Sequence, residues 1–271
     1  MIARIIPLTQ KDSNATLSFF ISEGSMAKRQ EKEQRQPHLT LASNRLKLRL
    51  DDMDVISPLT DNQQTFFNYY NEGNEFILLH GVAGTGKTYI ALYKALEEAL
   101  DKESGYDKVI IVRSAVPARE IGHLPGDEKE KTDVYKEPYV EICSNLFNRA
   151  DAFQRLQEQG VCHFLITSFL RGVTLDNSII IVDECQNLSD SEINTIMTRV
   201  GHNSKIIFCG DFRQTDLNKK HDMSGLKKFI SIAKMMPAFR LIEFSVADIV
   251  RSDIVKQYIL ARLKYEEASI A

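Results

Sequence analysis

The chain has 271 residues, 43% of them hydrophobic and 26% charged, and its formal net charge is −3. This length predicts one large domain or two small ones at about 150 residues each, with a composition typical of globular proteins. The charge excludes a chain that is basic throughout, so a nucleic-acid surface is expected to be a local patch.

Features of membrane and secreted proteins are absent from the sequence. No stretch reaches the roughly 20 apolar residues of a membrane-spanning helix, and the first residues lack the pattern of a signal peptide. The cysteines form no Cys-x-x-Cys pair and no regular framework, which excludes a zinc ribbon. They are Cys143, Cys162, Cys185 and Cys209. We therefore expect buried free thiols, a cytoplasmic location and no membrane partner.

Residues 1–57 are polar and differ in composition from the rest of the chain. Basic side chains outnumber acidic ones between Met26 and Leu50, which predicts a solvated N-terminal arm or short subdomain. The alternative is a basic arm that contacts RNA or a neighbouring subunit. Strand-like and helix-like stretches alternate from Pro58 onward, so the folded domain is expected at residues 58–271.

Short apolar runs typical of buried strands alternate with stretches of helical spacing. The predicted strands are residues 76–80, 108–114, 163–167, 178–184, 205–210 and 239–244. The predicted helices are residues 87–100, 189–200, 224–234 and 247–265. This alternation predicts an α/β fold, a doubly wound, mostly parallel sheet with helices on both faces and a site at the carboxyl ends of its strands.

The strongest pattern, at residues 81–88, matches G-x-x-x-x-G-K-[ST] between a predicted strand and a predicted helix. Glycines let backbone N–H groups curl around phosphate oxygens, and the helix adds the positive end of its dipole. We expect Lys87 to bind the β- and γ-phosphates of a nucleotide and the Thr88 hydroxyl to bind Mg²⁺. The other predicted nucleotide-binding residues of this P-loop NTPase are Gly81, Val82, Ala83, Gly84, Thr85, Gly86 and Tyr89.

Two carboxylates follow the apolar strand at residues 179–182. Asp183 is expected to hold the Mg²⁺ shell and Glu184 to orient or deprotonate the attacking water, although adjacent acids at a strand end can also be simply solvated. The pair favours hydrolysis by water over transfer to a metabolite.

Gln214, just beyond the strand at 205–209, is a candidate sensor of the γ-phosphate or else part of an ordinary turn.

Further segments resemble, in order, motifs of the PhoH family of P-loop ATPases, whose RecA-like core is similar to one motor domain of superfamily 1 helicases. Besides the P-loop, they are residues 112–116, 120–126, 169–175, 183–187, 198–201, 210–217, 224–226 and 248–251. Asn62 and Gln63 resemble the family's glutamine element, which implies that Gln63 contacts adenine and that ATP is preferred. Ser114, Val173 and Cys185 depart from the family's usual residues. A compact chain suits a phage-encoded version, located in the host cytoplasm.

The resemblance also implies where an arginine finger would come from. Superfamily 1 helicases close ATP between two motor domains, and the second supplies an arginine to the γ-phosphate. With room for one such domain, this chain is expected to borrow the second wall from a neighbouring subunit of a homo-oligomer, a hexameric ring with a shared ATP site. An arginine supplied in trans is worth about 10³–10⁵ in rate. Arg251 is the first candidate, followed by Arg199, Arg171 and Arg113, and each can instead form a surface or intrachain ion pair.

Residues 113–147 interrupt the strand–helix alternation with a charged insertion that is a candidate for contact with nucleic acid. The candidates for phosphate contacts are Arg119, Lys129 and Lys131. The candidates for base stacking are Tyr135, Tyr139 and Phe169, for which packing in the core is the alternative.

Three functions fit these features. The first is a Mg-dependent ATPase that couples hydrolysis to binding or movement on nucleic acid, with single-stranded RNA favoured. The alternatives are an ATPase that remodels a protein partner without translocating, and a P-loop kinase acting on a small molecule or nucleotide. Stimulation of hydrolysis by RNA would separate the first two, and a phosphorylated product would establish the third. Nuclease activity is not expected, since residues 1–57 are too few and too basic for the acidic nuclease domain of some family members.

Overall fold

The computed structural model describes residues 47–114, 133–170, 172–211 and 223–270. Within them, six strands form one parallel sheet in the order β3-β2-β4-β5-β1-β6. The strands are β1 (Phe76–Gly81), β2 (Lys108–Arg113), β3 (Cys162–Ile166), β4 (Ser178–Val182), β5 (Lys205–Gly210) and β6 (Phe239–Phe244). The predicted fold class and all the predicted strands are confirmed.

Helices cover both faces of this sheet, as a parallel sheet requires. They are α1 (Asp61–Asn71), α2 (Lys87–Leu100), α3 (Glu137–Phe147), α4 (Ala152–Glu158), α5 (Asp190–Met197), α6 (Met223–Ala233) and α7 (Asp253–Ile270). One hydrophobic core lies under α1 to α4 and the other under α5 and α6.

Successive side chains of each strand enter opposite cores, because strand side chains alternate between the two faces. In β1, Ile77 and Leu79 join the core under α1 to α4, whereas Phe76 and Leu78 join the core under α5 and α6. Full burial of such a side chain contributes about 1.5–3 kcal/mol. All four cysteines are free and buried, as predicted.

Two predicted helices begin or end differently in the structure. The helix predicted from residue 247 begins at Asp253, because Val246–Asp248 form a 3-10 turn. Ser245 caps this turn, and the Asp248 carboxylate accepts from the Ser245 backbone N–H. The helix predicted over 189–200 is shorter, because Ser189 is the N-cap of α5 and the helix ends at Met197.

The strand order places the P-loop and the predicted metal ligand after two strands that are separated by β5. β1, which leads into the P-loop, lies between β5 and β6, and β4, which precedes Asp183, lies between β2 and β5. The carboxyl end of β5 therefore lies between these two motifs. Residues 47–57 also contribute to the structure: Leu48 and Met53 are buried in the core under α1 to α4.

No helix in the part of the chain that the structure describes is long and apolar enough to cross a membrane.

Candidate active site

The P-loop connects β1 to α2 through glycines with left-handed backbone conformations. Gly84 and Gly86 have φ of 77° and 79°, and Gly86 is the N-cap of α2. Gly81 has a φ of 127°, and a Cβ there would overlap the Phe244 carbonyl oxygen of β6. Only glycine combines this φ with such a close backbone approach, and glycines with positive φ allow the loop to turn its N–H groups toward a phosphate.

Lys87, in the first turn of α2, folds back over the P-loop. Its Nζ donates to the carbonyl oxygens of Gly81 at 3.0 Å and Val82 at 2.8 Å, and to Thr85 Oγ1 at 3.2 Å. Burial lowers the pKa of Lys87, and the carboxylate of Asp211 is the largest of the charges that oppose this shift. Among the described residues, the hydrogen-bond acceptors of this ammonium are thus neutral oxygens, and phosphate oxygens would be stronger partners.

Asp183 is held by a hydroxyl group on each side of its carboxylate. Thr88 Oγ1 donates to Oδ1 at 2.8 Å, and the phenol of Tyr139 donates to Oδ2 at 2.8 Å. Asp183 is 6% exposed and Tyr139 is fully buried. The two predicted Mg²⁺ ligands, Thr88 and Asp183, are therefore in contact, and Tyr139 of α3 contacts the other oxygen of the same carboxylate.

Glu184 follows Asp183 in a left-handed conformation, with a φ of 51°. Gln186 donates from Nε2 to Glu184 Oε2 at 2.5 Å and accepts at Oε1 from the Asp211 N–H at 3.1 Å. A Cβ on Gly210 would lie 2.6 Å from Gln186 Oε1 and 2.6 Å from Cys185 Sγ. Gln186 thus links the predicted catalytic carboxylate to the end of β5, at a point where glycine is needed.

Two arginines lie in the same cavity as the P-loop, Asp183 and Glu184. This cavity has a volume of about 460 Å³, and Arg113 and Arg251 both line it. Arg113 stacks over the ring of Tyr135, 5.6 Å from its centroid. The side chain of Arg251 lies against Gly84, with its Cγ 2.9 Å from the position of a Cβ there. Arg251 therefore lies beside the P-loop of its own chain, and its action on a neighbouring subunit stays a prediction.

Gln63 occupies a different position from the one expected of an adenine contact. Its side chain is 2% exposed. Its Nε2 donates to the Thr85 carbonyl oxygen at 3.0 Å, and its Oε1 accepts from the Leu59 N–H at 2.8 Å. Both polar atoms of the Gln63 amide thus form hydrogen bonds within the chain, and the one to Thr85 connects α1 to the P-loop.

The turn that carries Arg251 is tied to the start of α1. Asn62 donates to Asp248 Oδ2 at 2.8 Å, and the Val250 N–H donates to the Gly84 carbonyl oxygen at 3.0 Å. Burial raises the pKa of Asp248, but hydrogen bonds from Asn62 and Ser245 outweigh it, so the pKa lies below its usual value. The P-loop and the Arg251 turn are therefore held as one unit.

Two further predicted residues among the described ones, Arg199 and Phe169, lie outside this cavity. Arg199 does not line it, and its Nε is buried without a hydrogen-bond partner among the described residues. Phe169 is 56% exposed on the turn after β3. The predicted residues that lie outside the described ones are Gln214, Arg171, Arg119, Lys129 and Lys131.

Sequence reasoning missed the roles of Tyr139 and Gln186. The sequence predicts Tyr139 as a stacking or core residue, and no local pattern indicates its contact with Asp183, which lies 44 residues further along the chain. Gln186 lies inside the segment that resembles a family motif, but its two partners depend on how β4 and β5 pair. Both contacts are products of the tertiary fold.

The residues present fit a nucleoside triphosphate with Mg²⁺. The cavity volume lies in the range of small-molecule sites, and Lys87 lines the cavity together with Ala83–Gly86 of the P-loop. No cluster of three His, Cys, Asp or Glu side chains within the described ranges could hold a metal alone. Mg²⁺ held by Thr88 and Asp183 would therefore need phosphate oxygens and water as further ligands, its usual surroundings in P-loop proteins.

Two curated relatives are similar in sequence to more than two thirds of this chain. A PhoH-like protein of Bacillus subtilis is 37% identical over 193 residues, covering 69% of this chain and 58% of the relative. A PhoH-like protein of Mycobacterium tuberculosis is 32% identical over 214 residues, covering 79% of this chain and 59% of the relative. The chain thus matches less than two thirds of the length of each.

Among solved structures, the large terminase of a thermophilic bacteriophage aligns with a TM-score of 0.46 at 12% identity, over 74% of this chain and 50% of the terminase. The family profile of the PhoH-like proteins matches residues 55–262, a range that includes the P-loop, Asp183, Glu184 and Arg251. The chain belongs to the PhoH-like protein family.

Proposed function

We propose that this chain hydrolyses Mg·ATP in the cavity between the P-loop and β4, and couples hydrolysis to binding or movement on nucleic acid, with single-stranded RNA favoured. The observation that carries the ATPase proposal is the joining of Thr88 and Asp183 by a 2.8 Å hydrogen bond, next to Glu184 and the P-loop. The cavity thus contains the two proposed Mg²⁺ ligands, the proposed base Glu184 and the P-loop that would bind the phosphates.

Each side chain has a defined task in this reaction. Lys87 would exchange its loop carbonyl partners for the β- and γ-phosphates, and Arg113 and Arg251 would add positive charge where the transition state is negative. Glu184, held by Gln186, would orient or deprotonate the attacking water. Bound Mg²⁺ would neutralise charge on the phosphate oxygens.

We propose further that the arginines act on the nucleotide of their own chain. Arg113 and Arg251 line the cavity together with Lys87, so three cations of one chain lie in the proposed nucleotide site. A homo-oligomeric ring, with a hexamer favoured, remains part of the proposal as a way to hold a nucleic-acid strand. It would not need to supply Arg251 from a neighbour.

The coupling to nucleic acid is supported by the resemblance to superfamily 1 motor domains and by one exposed apolar pair. Phe169 is 56% exposed and Val173 is 41% exposed, and both belong to the segment 169–175 that resembles a family motif. An exposed aromatic ring offers a face on which an unpaired base can stack, which contributes about 1–3 kcal/mol per base.

Steady-state ATP hydrolysis with and without single-stranded RNA tests this function. We expect Mg-dependent hydrolysis that RNA stimulates, and losses of about 10²–10⁴-fold in Lys87→Ala and Glu184→Gln. Lys102→Ala and Glu103→Gln are matched controls, since both side chains are exposed and lie outside the cavity.

The outcomes separate the candidate functions. Hydrolysis that requires Lys87 and Glu184 but is indifferent to RNA and DNA would contradict the nucleic-acid coupling and favour a protein partner. Absence of ATP hydrolysis both with and without RNA would contradict the proposed ATPase activity.

A further inference from the structure

Tyr139 is a buried phenol whose hydroxyl group reaches the predicted metal ligand. Its side chain has no exposed surface, and its ring packs 5.7 Å from that of Phe164 in the core. The hydroxyl donates to Asp183 Oδ2 at 2.8 Å. Because the ring is held by the core on one side, the position of the phenol oxygen is set by the packing of α3 against the sheet.

The Tyr139 hydroxyl is the donor in this contact, because the carboxylate of Asp183 accepts hydrogen bonds. Asp183 Oδ1 accepts from Thr88 at 2.8 Å. Each carboxylate oxygen thus uses one lone pair on a hydroxyl group and keeps a second one for other partners.

We propose that Tyr139 is a positioning residue for Mg²⁺, which fixes the rotation of the Asp183 carboxylate so that its free lone pairs face the hydrated ion. Donors on both oxygens oppose rotation about the bond to the carboxyl group, which Thr88 alone would permit. Outer partners of metal ligands act in this way in other metal sites, and their loss weakens metal binding by about 10–100-fold. This inference rests on the proposed Mg·ATP site and adds the residue that aligns its metal ligand.

The test is the equilibrium binding of a fluorescent ADP to the full chain at increasing Mg²⁺ concentration. In Tyr139→Phe, we expect the Mg²⁺ midpoint to rise by about 10-fold, while nucleotide affinity in EDTA stays unchanged. Tyr93→Phe is the matched control: Tyr93 is also buried, but its hydroxyl donates to Glu97 Oε1 at 3.0 Å within α2. We expect that variant to keep the wild-type midpoint.

A double-mutant cycle distinguishes positioning from a general structural role. If Tyr139 acts through Asp183, Y139F has no further effect on nucleotide binding in Mg²⁺ once Asp183→Ala is present. Thermal unfolding in EDTA checks that Y139F is folded, and Tyr139→Met, which also lacks the hydroxyl group, carries the same expectation should Y139F fail to fold.

An unchanged Mg²⁺ midpoint in the Tyr139 variants would overturn the inference and leave the proposed function intact. The same would follow from equal losses in the wild-type and Asp183→Ala backgrounds. If the nucleotide affinity of the wild-type protein does not change with Mg²⁺ concentration, the proposed function is overturned, and with it the inference.

Discussion

Glu184 has a backbone conformation that few residues other than glycine adopt. Its φ of 51° places it in the left-handed region, which costs of order 1–3 kcal/mol. Such strain persists where neighbouring contacts determine the conformation. Here Gln186 provides that contact, since its amide holds the Glu184 carboxylate and also accepts the Asp211 N–H at 3.1 Å.

Replacement of Gln186 by alanine is therefore expected to reduce the hydrolysis rate without weakening nucleotide binding. Glu184 would lose the donor that fixes its carboxylate, and a loosely held base loses part of its contribution, about 10-fold in kcat. Single-turnover kinetics and equilibrium binding of ATP measure the two effects separately.

Gln64→Ala is the control for this variant, because Gln64 Nε2 donates at 2.9 Å only to the exposed Asn68. A large loss of ATP affinity in Gln186→Ala with kcat unchanged would contradict the positioning role.

The sequence predicts the individual site residues that belong to a short local motif. Lys87, Thr88 and Asp183 meet in one cavity as their motifs indicate. Gln63 and Arg251 belong to segments that resemble family motifs, but their surroundings depend on packing. Gln63 is buried under Thr85, and Arg251 lies on Gly84 of its own chain. Neither contact leaves a signal in residue spacing.

Among the elements, β1 and β6 approach each other so closely where the P-loop begins that no side chain fits at Gly81. The Val82 N–H donates to the Phe244 carbonyl oxygen at 3.1 Å, and Gly81 pairs with Phe244 in the sheet. A Cβ on Gly81 would overlap that same carbonyl oxygen. The close approach and the left-handed φ of Gly81 act together.

We expect Gly81→Ala to lower the free energy of unfolding by about 3 kcal/mol or more, because strain and overlap add. Gly73→Ala is the matched control. Gly73 has a φ of 80°, but a Cβ there would have no atom within 4 Å. It should lose only the conformational part, about 1 kcal/mol. Urea unfolding measures both, and equal losses would contradict a steric role for Phe244.

The elements themselves follow closely from the hydrophobic pattern. Strands such as β4 and β5 are continuous apolar runs, and their ends agree with the prediction within two residues. The start of α7 does not follow from the pattern, because helical spacing continues through residues 247–252. There Ser245 and Asp248 bind the backbone locally and favour a 3-10 turn over a continuous helix.

At the scale of the whole molecule, the main difference from the expected arrangement concerns the arginine. The resemblance to superfamily 1 motors implies a site shared between two domains or subunits. In this fold, the turn after β6 returns to the P-loop through the Val250–Gly84 hydrogen bond and brings Arg251 to the cavity of its own chain. We propose on this basis that one chain carries every charged group needed for hydrolysis.

The most direct test mixes two inactive variants under conditions that allow subunits to exchange. Arg251→Ala keeps its P-loop lysine, and Lys87→Ala keeps its arginine. Each alone is expected to lose about 10³-fold in ATP hydrolysis. If Arg251 acts on its own chain, the mixture shows only the sum of the two residual activities at every ratio. Recovery of hydrolysis on mixing would contradict the account, because it would show that one subunit's arginine completes the site of its neighbour.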